Sequence, residues 1–158
     1  LIYGKTYKTQ VPLYLSSKNV NVVLDTLLPK QEQFSFVDLG SGCGGLLNNL
    51  AKVHKNGLFY GIESAPLPLL ISKLRSLPNH GSCQIFWGSF WEYDLSQYDV
   101  VYAYLSPIPM ESLWRKVSKE MRPGSLLISN TFLIPGVTPH KSIQLNDFSN
   151  STLYLWKI

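Results

Sequence analysis

The stretch Phe34-Ser-Phe-Val-Asp-Leu-Gly-Ser-Gly-Cys-Gly-Gly45 decides how this chain folds. A short apolar run reaches Asp38, four glycines follow between positions 40 and 45, and Leu46-Leu47 open a helical pattern. That succession is a strand, a tight turn and a helix N-terminus. Gly40 and Gly42 permit positive φ angles and leave no Cβ where a ligand would press on the turn. Asp38 stands at the carboxyl end of the strand, where open α/β sheets bind their ligands. The free N–H groups of the helix behind the turn favour an anion.

A second apolar run, Leu58-Phe-Tyr-Gly-Ile-Glu63, also ends in an acid. The chain between Asp38 and Glu63 is long enough for one turn, one helix and one strand. An acid at the end of the second strand of a nucleoside-binding sheet accepts hydrogen bonds from both ribose hydroxyls. The alternative for Glu63 is an acid that caps the helix starting near Pro66.

Apolar spacing at i, i+3, i+4 and i+7 predicts four helices. The first is capped by Ser16-Ser17, carries Val20, Val23, Leu24 and Leu27, and stops at Pro29. Leu46, Leu47, Leu50, Ala51 and Val53 form the buried side of the second. Leu67, Leu70, Ile71, Leu74 and Leu77 do so for the third, with Lys73 and Arg75 on its solvated side. Met110, Leu113, Trp114, Val117 and Met121 mark the fourth. Between and after them, Cys83–Trp87, Tyr98–Leu105 and Ser125–Phe132 read as strands, and two weaker strands flank the turn Asn146–Asn150. Too few residues separate those last two for a crossover helix, so they pair antiparallel. The expected fold is α/β: a Rossmann-like, doubly wound sheet, mostly parallel with one antiparallel strand near the C-terminus.

The 158 residues suit a single domain, with residues 1–15 (Tyr3, Tyr7 and Tyr14 among them) as an arm over the ligand edge or a loosely ordered terminus. A composition of 45% hydrophobic and 15% charged residues excludes a disordered tail. The net charge of +4 permits an acidic partner without requiring one. Cys43 and Cys83 have neither metal-ligand nor disulfide-framework spacing, which fits a reducing, cytoplasmic setting. No apolar run is long enough to span a bilayer. The first residue is Leu1 rather than Met, so membrane association, if it exists, is expected through a segment upstream of Leu1.

Val37-Asp-Leu-Gly-Ser-Gly-Cys-Gly44, Gly61-Ile-Glu63, Gly88-Ser-Phe90 and Met121-Arg-Pro-Gly124 resemble the successive motifs of the class I, seven-β-strand S-adenosylmethionine-dependent methyltransferases. Val11-Pro12, Gly88-Ser-Phe-Trp91, Asp94-Leu95 and Tyr98–Leu105 resemble a narrower group, the small membrane-associated protein-lysine methyltransferases. The resemblance implies S-adenosylmethionine as cofactor and no metal. It places Asp38 near the methionine ammonium group, the turn Gly40-Ser41-Gly42 against the methionine moiety and Glu63 at the ribose, with Ser64 also on the cofactor side. The position after Gly88 is usually Asp in the family, contacting the adenine amino group; here it is Ser89, which loses the charge-assisted part of that bond. Phe90 either covers the adenine or belongs to the core.

The acceptor side is implied to lie after the fourth strand, at Tyr104, Leu105, Ser106 and Pro107. Tyr104 shapes the acceptor channel or bonds the amine, or else it is a half-buried aromatic on a central strand. No His, Asp or Glu in that loop is an evident base, and His54, His80 and His140 read as surface or loop residues. The implied reaction is methyl transfer to an amine, with a protein lysine as the substrate. The runner-up is an amino group of RNA or DNA: Ser106-Pro-Ile-Pro109 keeps a polar residue and a proline of the loop used by such enzymes but lacks its adjacent second proline and aromatic. A third alternative is a non-catalytic module that keeps the fold.

Overall fold

A computed structural model describes residues 18–158. The arm of residues 1–15, Val11-Pro12 and the cap Ser16-Ser17 lie outside them. Among the described residues, seven strands form one sheet in the order β3-β2-β1-β4-β5-β7-β6. These strands are β1 (Phe34–Leu39), β2 (Gly57–Glu63), β3 (Cys83–Trp87), β4 (Val100–Ala103), β5 (Leu126–Asn130), β6 (Lys141–Gln144) and β7 (Thr152–Lys157). The helices are α1 (Lys18–Leu27), α2 (Gly45–Val53), α3 (Pro66–Ser76) and α4 (Met110–Glu120). β1 to β5 run parallel, and β7 runs antiparallel to both β5 and β6. One strand is therefore reversed within a mostly parallel sheet, as the short final connection requires.

Side chains alternate across each strand, and β1 shows what that alternation builds. Phe34, Phe36 and Asp38 face α1 and α2, where Phe36 joins a core with Leu24, Leu47, Phe59 and Tyr102. Val37 and Leu39 face the other layer, a core with Met110, Leu113 and Val117 of α4 and with Trp156 of β7. Strand order reverses between β1 and β4, so the two neighbouring crossovers leave in opposite directions and open a crevice at the carboxyl ends.

The third helix differs from expectation. Leu67, Leu70, Leu74 and Leu77 are 52–62% exposed, and α3 instead buries Pro68, Ser72 and Ser76. The cause is a close approach: a Cβ built on Gly44 would lie 2.3 Å from Ser72 Oγ. Only small residues fit between α3 and the glycine turn, so the leucine face is turned outward. Val53 of α2 is likewise exposed. The strands predicted at 98–105 and 125–132 are shorter than expected, because Tyr98 closes a 3₁₀ turn and Tyr104 already belongs to the loop after β4.

Candidate active site

The turn after β1 is held from below by main-chain bonds. Gly40 and Ser41 both donate to Ile62 O of β2, at 2.9 and 3.1 Å, and Gly44 donates to Ser41 O. Gly44 has φ 74° and serves as the N-cap of α2. A side chain at Gly44 would meet the strain of the left-handed region and the Ser72 hydroxyl together. Gly61 of β2 is needed for space: a Cβ there would lie 2.6 Å from Ser41 Oγ and 2.7 Å from Leu47.

Glu63 ties this turn to the next crossover. Its Oε2 accepts from Gly42 N and its Oε1 from Ala65 N, each at 2.7 Å. The capping alternative for Glu63 is thus realised at Ala65. An ionised carboxylate has about four acceptor sites, so two are left for another donor. Asp38 is 5% exposed. Burial first, and the nearby Glu63 carboxylate second, push its carboxyl up to about 8.

A cavity of about 210 Å³ opens at the ends of β1 and β4. It brings together Asp38, Gly40, Ser41 and Tyr104 from the residues expected by sequence. Gly42, Glu63, Ser64, Ser89, Phe90, Ser106 and Pro107 do not line it. Glu63 is engaged with Gly42 N and Ala65 N. Ser89 accepts from Trp91 N and so caps a 3₁₀ turn, while Phe90 packs in the α4-side core against Trp91, centroids 4.6 Å apart. Ser106 is buried and Pro107 exposed.

Sequence reasoning missed several cavity residues. Lys18 and Asn21 of α1 line it, as does Arg75, which was expected only to solvate α3. Arg75 Nη1 donates to Cys43 O at 3.3 Å, reaching across to the glycine turn. Tyr102 of β4 lines it as well. Its signal was masked, because an aromatic in an apolar central strand looks like any other core residue. His54, expected at the surface or in a loop, sits in the turn after α2 and is buried, its Nε2 2.9 Å from Asp25 Oδ1, far from this cavity in the fold.

The residues present fit an adenosyl cofactor on three counts. The glycine turn has no Cβ to obstruct a ligand, a buried acid with a raised pKa awaits a cation, and the N-terminus of α2 favours an anion beside Lys18 and Arg75. Comparison with known proteins gives the class. The fold matches an RNA methyltransferase from Salinibacter ruber solved with S-adenosyl-L-homocysteine, with a TM-score of 0.82 at 24% identity over 92% of this chain and 94% of that one. A SAM-dependent methyltransferase from Thiobacillus denitrificans, also solved with S-adenosyl-L-homocysteine, matches with a TM-score of 0.64 at 19% identity, covering 82% of this chain and 54% of that one. This is a Rossmann-like, S-adenosylmethionine-dependent methyltransferase.

The ANTKMT methyltransferase domain profile matches residues 38–141, and the chain belongs to that family. It is 31% identical over 124 residues to a protein-lysine N-methyltransferase of Saccharolobus islandicus, covering 77% of each chain. Among the described residues, no helix is long and apolar enough to cross a membrane.

Proposed function

We propose that the enzyme transfers the methyl group of S-adenosylmethionine to the ε-amine of a protein lysine. The observation that supports this is a cavity lined by the glycine turn and Asp38 together with Tyr102 and Tyr104, so that a cofactor lying along the turn would have two aromatic side chains beside it. The 31% identity to a protein-lysine N-methyltransferase supports lysine as the acceptor.

The cofactor supplies an activated sulfonium methyl. In this assignment Asp38 pairs with the cationic methionine end and Gly40-Ser41-Gly42 lies against it. Lys18, Arg75 and the start of α2 face the methionine carboxylate. Glu63 and Ser64 serve the ribose, and Ser89 and Phe90 border the adenine. Ser106 and Pro107 frame the acceptor mouth with Tyr104. Transfer is an in-line displacement, so positioning and exclusion of water supply most of the acceleration. The lysine must arrive neutral, and its proton leaves to water before attack.

The test is incubation of the protein with methyl-labelled cofactor and a cell extract, followed by mass spectrometry of the labelled species. Label on lysine side chains, removed by protease and untouched by nuclease, is expected. Label confined to nuclease-sensitive material would replace the protein acceptor with a nucleic-acid amine.

A further inference from the structure

We propose that Asn21 of α1 binds the ammonium group at the cofactor's methionine end, its Oδ1 completing a set of three oxygens with Ser41 Oγ and the Asp38 carboxylate. This rests on the placement above, in which Asp38 meets that ammonium. Two side-chain oxygens of the residues that line the cavity, Asn21 Oδ1 and Ser41 Oγ, are buried without a hydrogen-bond partner among the described residues. A buried acceptor left without a donor carries its full desolvation cost, and folded chains keep few of them. Two in residues around one volume of about 210 Å³ point to a donor that the chain does not supply.

The sheet positions two of the oxygens. In the β1–β2 register Asp38 pairs with Gly61, and a Cβ on Gly61 would lie 2.6 Å from Ser41 Oγ. The serine hydroxyl therefore stands over the place next to Asp38, on the same face of the sheet. The third oxygen comes from α1. Val20 and Leu24 are fully buried and seat this helix on the core that holds Phe36. Lys18 and Asn21 are one turn apart and share a side, and both line the cavity. Asp25, one turn further along that side, pairs with Lys30 and His54, and Asn19 donates to Asn146 O in the β6–β7 turn. The helix is thus tied down on either side of Asn21. Asparagine is a poor helix former, and here its buried oxygen gains no bond from the helix in return.

The chemistry of the ligand matches this set. An alkylammonium has three N–H donors and no acceptor, so three oxygens from separate elements can each take one hydrogen. A carboxylate alone would attract any cation. Two neutral acceptors beside it favour a primary ammonium over one whose hydrogens are replaced by carbon. With Lys18 on the same side of α1 and facing the methionine carboxylate, a single helical turn reads both charges of the amino-acid end. α1 lies outside residues 38–141, the part matched by the methyltransferase domain profile, so a contact from this helix is not given by that match.

Calorimetry with three thioethers tests this: S-adenosylhomocysteine, its decarboxylated form, which keeps the amine, and 5′-methylthioadenosine, which has no amino-acid end. Asn21→Leu should lose about tenfold or more in affinity for the first two and stay within about twofold for the third. Asn21→Asp keeps an acceptor at that position and should bind S-adenosylhomocysteine within about threefold of wild type. Because leucine removes an unpaired polar group, ligand-free Asn21→Leu should melt at or above the wild-type temperature. Unchanged affinity for the two amines, or an equal loss for methylthioadenosine, would overturn the assignment. A loss for S-adenosylhomocysteine with none for its decarboxylated form would also overturn it, by putting Asn21 at the carboxylate. So would n-propylamine, titrated by NMR into protein saturated with S-adenosylhomocysteine, if Asn21→Leu lost that amine and kept the thioether, since the ammonium would then be the acceptor's. Wild type binding all three thioethers equally would refute the placement of the methionine end itself. A wild-type preference for the amines that survives in Asn21→Leu would refute the role of Asn21 alone.

Discussion

The two ends of β1 treat their acids in opposite ways. At the amino end, Asp99 lies next to Ser35, and its Oδ2 accepts from Ser35 N at 2.8 Å and from Ser35 Oγ at 3.1 Å. Its Oδ1 accepts from Arg122 at 2.9 Å. His54 is enclosed by Phe34 and Phe59, with Asp25 beside it. Charges at this end are satisfied within the protein. At the carboxyl end, Asp38 is buried next to a second carboxylate and its pKa is raised, an arrangement that favours neutrality over charge. The difference marks the carboxyl end as the one whose acid is left without a compensating cation among the described residues.

Asp38→Asn gives the largest expected effect. If the acid pairs with a cationic ligand, S-adenosylmethionine affinity should fall about 10–100-fold, the loss of one charge-assisted bond of about 1.5–3 kcal/mol. Stability should move the other way. The folded pKa is about 8, above the ordinary value of 3.8. Between those values the folded state holds a proton that the unfolded state has lost, so this group's contribution to stability declines as pH rises from about 4 to 8. The asparagine has no such dependence. Its melting temperature at pH 8 should exceed that of wild type, by about 2–4 °C for each kcal/mol of strain relieved. The same linkage makes wild-type cofactor affinity rise from pH 6.5 to 8 and level off above. Flat affinity across that range, followed by calorimetry, would remove Asp38 from the binding site.

Gly44→Ala tests the scaffold of the same end. The left-handed φ costs roughly 1–2 kcal/mol for a non-glycine residue, and contact with Ser72 adds to it. Denaturant unfolding should show a loss of about 2 kcal/mol or more. The double variant Gly44→Ala with Ser72→Ala should recover only the steric part. Full recovery would mean that the backbone there is less constrained than its φ indicates.

The glycine turn was legible in sequence because its constraints are local and belong to the backbone. Glycines at 40, 42 and 44 are demanded by the turn, and Asp38 and Glu63 each close an apolar run. The Tyr102 side of the cavity is brought together by strand adjacency, through the β1–β4 register and a hydrogen bond from Asn130 Nδ2 to the Tyr102 hydroxyl. Tyr102 and Asn130 are distant in sequence, and nothing near either one announces the other. Arg75 was misread for the same reason, since its partner Cys43 belongs to a different crossover. The leucines of α3 show a separate limit. Periodicity establishes that Leu67, Leu70, Leu74 and Leu77 share a face, but not that the face is turned inward. A single close approach, Ser72 on Gly44, decided it.

His54→Gln probes the amino end. Burial, outweighing the nearby Asp25, lowers the His54 pKa below its ordinary 6.5. The unfolded chain takes up a proton below pH 6.5 while the folded state resists it, so stability falls as pH drops through that point toward the depressed value. Thermal unfolding at pH 7.5 and 5.5 should show a smaller decrease in the glutamine variant than in wild type, by a few degrees. Equal decreases would assign the acid sensitivity to the carboxylates instead.

Arg122→Ala should have the smallest effect, and its smallness bears on the comparison. The Arg122–Asp99 pair is half exposed, at 55% and 46%, and exposed pairs contribute about 0–1 kcal/mol. Asp99 keeps both bonds from Ser35 without the arginine, and Ser35 Oγ in turn accepts from Asp99 N. The melting temperature should therefore drop by no more than about 4 °C, with cofactor affinity unchanged. A loss of several kcal/mol would mean that Arg122 compensates a charge the rest of the amino end cannot hold. The two ends of β1 would then differ only in whether the compensating cation comes from the chain or from the ligand.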